Sequence, residues 1–124
     1  MSRVIAGIGC RRDCSAADIA AVVRLACGTA GRSVDALAAP AFKSREPGLR
    51  QAAATLGLSL LPVETDALQA VQPRCPTVSE AARRATGIAS VAEGCALAVA
   101  GLGSRLILPR VSHGGATCAL AESA

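Results

Sequence analysis

The chain has 124 residues, a formal net charge of +4, 52% hydrophobic residues and a mean hydropathy of +0.44. That is enough for one domain with one core, and much of the apolar content is alanine, which favours close helix packing over bulky filling. Phe42 is the only aromatic residue, so the stacking platforms of a single-stranded nucleic-acid binder are missing, and without a long basic run the charge suits a small anionic ligand better than a DNA backbone.

The N-terminal Met-Ser-Arg runs straight into a strand-like segment rather than a leader, and residues 88–108, the most apolar part, are broken by Glu93, Arg105 and three glycines. The reading is a cytoplasmic chain with no membrane partner. Its six cysteines are Cys10, Cys14, Cys27, Cys75, Cys95 and Cys118, with no C-x-x-C pair. A disulfide framework is not expected of a cytosolic chain, and Cys10 and Cys14 with the lone His113 make too few ligands for a metal site.

Residues 3–8 form a short apolar run that reads as a buried strand, followed by Gly7-Ile8-Gly9-Cys10-Arg11-Arg12-Asp13-Cys14-Ser15. A strand turning into a helix N-terminus presents backbone N–H groups and the helix dipole to one spot, which suits an anion. The dinucleotide fingerprint G-x-G-x-x-G fails at Arg12. In its place stand paired guanidiniums, the group best matched to carboxylates or phosphates. A tight turn with two solvated arginines accounts for the same residues.

Ser15 reads as the N-cap of a first helix with Asp18 as its capping-box partner, and Ile19, Val22, Val23, Ala26 and Ala30 give it an apolar stripe ending at Gly28 and Gly31. Residues 34–39 read as the second strand, so the opening is a βαβ unit with parallel strands. Ser44 is the expected cap of a second helix, with Leu49, Ala52, Ala53 and Leu56 as its buried face and Gly57 as its stop. Residues 58–63 read as a third, central strand. Lys43 then falls at the carboxyl end of strand two, on the same sheet edge as the Gly7–Arg12 loop, where open α/β sheets bind ligands.

Thr65 is read as capping a short helix through Val71, followed by a loop over 72–77 and a helix over 79–86 closed by Gly87. Arg83 and Arg84 read as a solvated face of that helix. Ser90-Val91-Ala92-Glu93 has the form of a capping box opening a nearly all-apolar helix to Gly101, and capping alone explains Glu93. Residues 105–109 read as a strand, 111–115 as a turn carrying His113, and 116–121 as a last, antiparallel edge strand paired by hairpin. The expected fold is α/β: a single three-layer domain over residues 1–124, with a mostly parallel sheet of about five strands, helices on both faces and a C-terminal antiparallel hairpin.

These segments resemble the CbiG C-terminal domain family of cobalamin biosynthesis, which includes the C-terminal domain of cobalt-precorrin-5A hydrolases and the small stand-alone CobE proteins. The residues that carry the resemblance are Gly7-Ile8-Gly9-Cys10-Arg11-Arg12, Lys43 with Glu46, Gly48 and Leu49, Gly87 with Ser90-Val91-Ala92-Glu93 and Ala96, and the closing 116–121. It spans essentially the whole chain, departing at Asp13 and Cys14, and the chain has no counterpart of the N-terminal region of the longer hydrolases.

The resemblance implies a precorrin or other corrin-ring intermediate as ligand, a macrocycle with many acetate and propionate arms, and other enzymes of that pathway as partners. The candidate ligand-binding residues are Gly7, Gly9, Cys10, Arg11, Arg12, Ser15, Lys43, Glu46, Ser90 and Glu93, with no cofactor and no metal. Two functions follow: a carrier or accessory factor, or an enzyme that opens a ring lactone or releases a two-carbon fragment. Glu46 is the candidate catalytic base because Lys43 nearby favours its ionised form, though the two also make a plain helix-start ion pair; Cys10 and His113 are the other candidates. A generic phosphate or nucleotide binder is disfavoured by the missing third glycine. Oligomeric state is left open.

Overall fold

The computed structural model describes residues 2–124. The chain alternates strand and helix: β1 (Val4–Cys10), α1 (Ala16–Ala30), β2 (Ala36–Pro40), a 3-10 turn (Ala41–Lys43), α2 (Pro47–Leu56), β3 (Leu60–Val63) and α3 (Thr65–Val71). A second 3-10 turn (Gln72–Arg74) leads into α4 (Glu80–Thr86), α5 (Val91–Ala100), β4 (Arg105–His113) and β5 (Ala116–Glu122). The five strands make one sheet in the order β3-β2-β1-β5-β4. Pairing is parallel between β1 and β2 and between β2 and β3, and antiparallel on both sides of β5. Only β5 therefore opposes the common direction, and the sheet is mostly but not purely parallel.

The alternation of strand side chains builds three layers. Val4, Ala6 and Ile8 pack with Leu37, Cys118 and Leu120 beneath α1 and α2. Ile5, Ala36 and Ala38 face the other way, onto Leu68 of α3 and Cys95 of α5. The small residues on β1 and β2 let α5 lie close to the sheet. At Gly7 the approach is closest: a Cβ there would collide with the Ala92 carbonyl and the Ala96 backbone nitrogen.

Helix ends follow the sequence closely in several places. Ser15 accepts from the Asp18 N–H at 3.1 Å, and Ser79 accepts from the Ala82 N–H at 3.1 Å. Helices α1, α2 and α4 stop at Gly31, Gly57 and Gly87, all in the left-handed region. Other readings are corrected. Gly28 lies inside α1. Ser44 closes the first 3-10 turn by donating to the Ala41 carbonyl, and Glu46 occupies the N-cap position of α2. Glu64, not Thr65, stands at the N-cap of α3, with no side-chain cap. Part of the 72–77 loop is helical.

Two strands also change places in the sheet. β3 is an outer strand rather than a central one, and β5 is interior, flanked by β1 and β4. Hydrophobicity alone does not order strands: β5 is buried on both faces because α1 and α5 cover it, whereas β3 leaves Pro62 exposed at an edge where a missing N–H does no harm. β4 runs on past Pro109 to His113, with register shifts against β5 between Leu106 and Leu108 and between Leu108 and Val111. Such bulges blunt an outer strand against stray pairing.

Replacing Gly7 with alanine is predicted to destabilise the fold by about 3 kcal/mol through this backbone collision. Chemical denaturation reads the change as a lowered midpoint; a wild-type midpoint contradicts the packing described for α5.

Candidate functional site

The carboxyl ends of β1 and β2 open onto a cleft of about 490 Å³. Its floor is Gly9, Cys10 and Thr117, with Pro40 and Phe42 on the β2 side. One wall is the small-residue face of α4 and its flanks, namely Ser79, Ala81, Ala82, Ala85, Thr86 and Ala89. Val91 and Ala92 bring in the first turn of α5. Arg11, Arg12, Lys43 and Arg110 line the same cleft, and no acidic residue does. The chemistry is thus a broad apolar surface ringed by cations, suited to an anion with a large apolar body.

The β1–α1 loop delivers Arg11 and Arg12 as exposed side chains. Its backbone donors are largely engaged inside the protein. The Arg11 N–H donates to the Gly115 carbonyl at 3.0 Å, the Cys14 N–H to the Arg11 carbonyl at 3.2 Å, and the Asp13 N–H to Glu46 Oε2 at 3.4 Å. Asp13 takes a φ of 61°, which turns the chain toward α1. The backbone N–H groups of the turn, expected to face an anion, are therefore largely spent inside the protein, and what the turn displays outward is its two forked side chains.

The predicted residues separate into groups. Gly9, Cys10, Arg11, Arg12 and Lys43 converge on the cleft. Gly7 lies under α5, and Ser15 caps α1. Glu46 is set back from the cleft. Its Oε1 lies 3.8 Å from Lys43 Nζ while its Oε2 accepts from the β1–α1 loop, so it ties the two cation-bearing segments together. His113 is half exposed and pairs with Asp18 at 3.6 Å, away from the cleft. Arg83 bonds Glu80 on the solvent side of α4 at 2.9 Å, as a solvated face would.

Ser90 and Glu93 are buried. They do not form the reciprocal capping box: Ser90 Oγ donates to Glu93 Oε1 at 2.7 Å instead of accepting from the helix. Glu93 also accepts from the Thr77 N–H at 2.9 Å, the Thr77 hydroxyl at 2.8 Å and the Arg110 N–H at 3.1 Å. Desolvation pushes its carboxyl up, but these four donors prevail and hold it below the ordinary value. At Cys10, burial pushes the thiol up, with Lys43 opposing. Burial raises the Cys118 thiol further, to about 12. All six cysteines are free, and no group of three or more His, Cys, Asp or Glu among the described residues is placed to hold a metal ion.

Phe42 and Arg110 complete the cleft and were not among the expected site residues. Both had a signal. Phe42 is the single aromatic and stays 51% exposed at the sheet edge. Arg110 follows Pro109 in a strand-like segment, and proline in a strand marks a bulge or an edge.

A three-layer α/β domain with a cation-ringed apolar cleft at the carboxyl ends of its strands has the architecture of a small-ligand-binding domain. The family model for the cobalamin synthesis G C-terminus matches residues 4–121, and the chain belongs to that family, which places it in the cobalamin biosynthesis pathway. The crystal structure of CobE, a protein from the cobalamin (vitamin B12) biosynthetic pathway, is similar at 42% identity and a TM-score of 0.92, over 99% of this chain and 92% of that one. Cobalamin biosynthesis protein chiG from Agrobacterium tumefaciens str. C58 is similar at 42% identity and a TM-score of 0.80, over 98% of both chains. A cobalamin biosynthesis protein G homologue from Sulfolobus solfataricus shares the fold at 19% identity and a TM-score of 0.72, over 98% of this chain and 37% of that one. No curated protein matches the chain. Among the described residues no helix is long and apolar enough to cross a membrane.

A carboxylate held below its ordinary value of 4.5 stabilises the fold above that pH and loses its contribution as the pH falls through the lowered value. The stability gap between wild type and E93Q is therefore predicted to be constant near neutrality and to shrink below about pH 4.5. Denaturation curves between about pH 7 and about pH 3, a span that brackets the carboxylate range, check this; a gap that stays constant throughout contradicts an ionised Glu93.

Proposed function

We propose that this domain binds a precorrin, a corrin-ring intermediate of cobalamin biosynthesis, through its carboxylate arms, and acts in the cytoplasm as a carrier or accessory factor to neighbouring enzymes. The observation that carries the reading is the convergence of Arg11, Arg12, Lys43 and Arg110 around an otherwise apolar cleft. A polycarboxylated macrocycle has that pattern in complement, an apolar ring face with anionic arms. A nucleotide would concentrate its charge at one end and would want a donor-rich phosphate loop, whereas here the loop N–H groups of Arg11, Asp13 and Cys14 are bonded internally. Six free thiols suit a reducing compartment.

Each charge-assisted hydrogen bond contributes roughly 1.5–3 kcal/mol when desolvated and far less when exposed. A few such contacts with apolar burial against Phe42 and the α4 wall reach the ~8 kcal/mol of a micromolar complex. Binding is favoured over ring hydrolysis by the state of the candidate nucleophile and bases. Burial keeps the Cys10 thiol protonated, Glu46 is engaged with Lys43 and the Asp13 N–H, and His113 lies outside the cleft.

Titration with precorrin intermediates, followed by the macrocycle's visible absorption and by product analysis, tests the reading. A shifted spectrum without new product is expected. Turnover makes the domain an enzyme, and no spectral change with any intermediate contradicts both functions. The double variant R11A/R12A is predicted to weaken binding by about 10–100-fold while changing stability by no more than about 0.5 kcal/mol, because both side chains are exposed. A large loss of stability would make the arginines structural.

A further inference from the structure

The sequence suggests a cap and a ligand contact at Glu93, yet the residue is fully buried and, among the described residues, no cation acts on it. Its two oxygens are used alike. Oε1 takes the Thr77 N–H and the Ser90 hydroxyl; Oε2 takes the Arg110 N–H and the Thr77 hydroxyl. Each oxygen thus has one fixed backbone donor and one rotatable hydroxyl. Only a carboxylate offers acceptors on both sides; an amide would turn its NH2 toward one backbone N–H in either orientation and leave that group unpaired.

The two backbone donors belong to different segments, each leading to a residue that lines the cleft. Thr77 is two residues before Ser79, which caps α4 and begins the alanine wall. No residue of α4 is buried, and its ends are joined to each other by the Ser79 N–H donating to the Ala89 carbonyl at 2.8 Å. The wall is therefore a small flap, held to the body at its stem by Thr77 on Glu93 and by Gln72, whose side chain bonds the Ser90 N–H and carbonyl at 3.0 Å. Arg110 sits where β4 loses register with β5, so its N–H is released from the ladder to reach Glu93, and its side chain lines the cleft.

We propose that Glu93 is a positioning residue that fixes the alanine flap and Arg110 relative to each other and so sets the affinity of the cleft for a carboxylated ring it does not touch. The proposal rests on the precorrin-binding reading for its ligand, but its geometry is testable without one.

The experiment uses the full chain and cobyrinic acid, a polycarboxylated corrin with visible absorption, on wild type, E93Q, R110A, the double variant and T77V. R110A and E93Q are each expected to weaken binding about tenfold, and T77V less, since one hydroxyl donor is lost. The double variant is expected to fall well short of the roughly hundredfold loss that independent effects give, because both changes disable the same contact. In the free protein, amide hydrogen exchange at Arg110 and through residues 77–89 is expected to accelerate in E93Q while β1 and α1 keep their protection. Wild-type affinity in a folded E93Q, fully multiplicative losses, or unchanged exchange at Arg110 overturns the proposal. Should E93Q not fold, T77V decides it: faster exchange at residues 77–89 with weaker binding supports it, and wild-type behaviour overturns it. Should wild type not bind cobyrinic acid, the binding reading fails for this corrin and the exchange data alone decide the positioning claim.

Discussion

The contact between α5 and the central strand sets the position of every other part of the cleft. Because Gly7 carries no side chain, the Ala92 carbonyl can lie over β1, and the first turn of α5 ends up against Gly9 at the sheet edge. That placement brings Val91 and Ala92 into the cleft and buries the third residue of the helix, Glu93, beneath it. From there Glu93 reaches the stem of the α4 flap and the bulge of β4. One glycine in the core thus determines how two distant surface segments face each other.

What the edge then displays follows from the direction of the strands. β1, β2 and β4 all run toward it, so the residues that follow β1 and β2, and the last residues of β4, converge there. The chain places Arg11 and Arg12, Lys43, and Arg110 at those three ends. Acidic residues nearby are withdrawn from the cleft: Glu46 braces Lys43, Asp18 pairs with His113, and Glu93 is saturated by internal donors. The result is a cleft whose charge is of one sign and whose body is mostly small apolar side chains with one phenyl ring.

Several local signals were legible, while those at Ser44, Thr65 and Ser90 misled and the order of the strands did not show. Ser15, Gly31, Gly57 and Gly87 act as the cap and stops their types predict, because capping depends on a few neighbouring residues. The placement of Lys43 beside the first loop was also legible, since parallel βαβ connections leave few alternatives. The order of β3 and β5 was not, because apolar content reports how much of a strand is covered and not by which neighbour. Glu93 shows the same limit at one residue. Its spacing from Ser90 satisfies a local motif, but its actual donors include Thr77 and Arg110, which only the fold brings within reach. The signal at Arg110 was ambiguous, because Pro109 reads equally as the end of a strand and is instead part of an irregularity in one that continues.

The central claim is that cations around an apolar cleft hold the carboxylate arms of a corrin-type ring. Comparing the affinity of the protein for a polycarboxylated corrin with that for its methyl ester, at one ionic strength, tests it most directly, since the two share a ring and differ in charge. Binding of the acid, with the ester weaker by about a hundredfold or more, is the predicted result. Equal affinity for the two would contradict it.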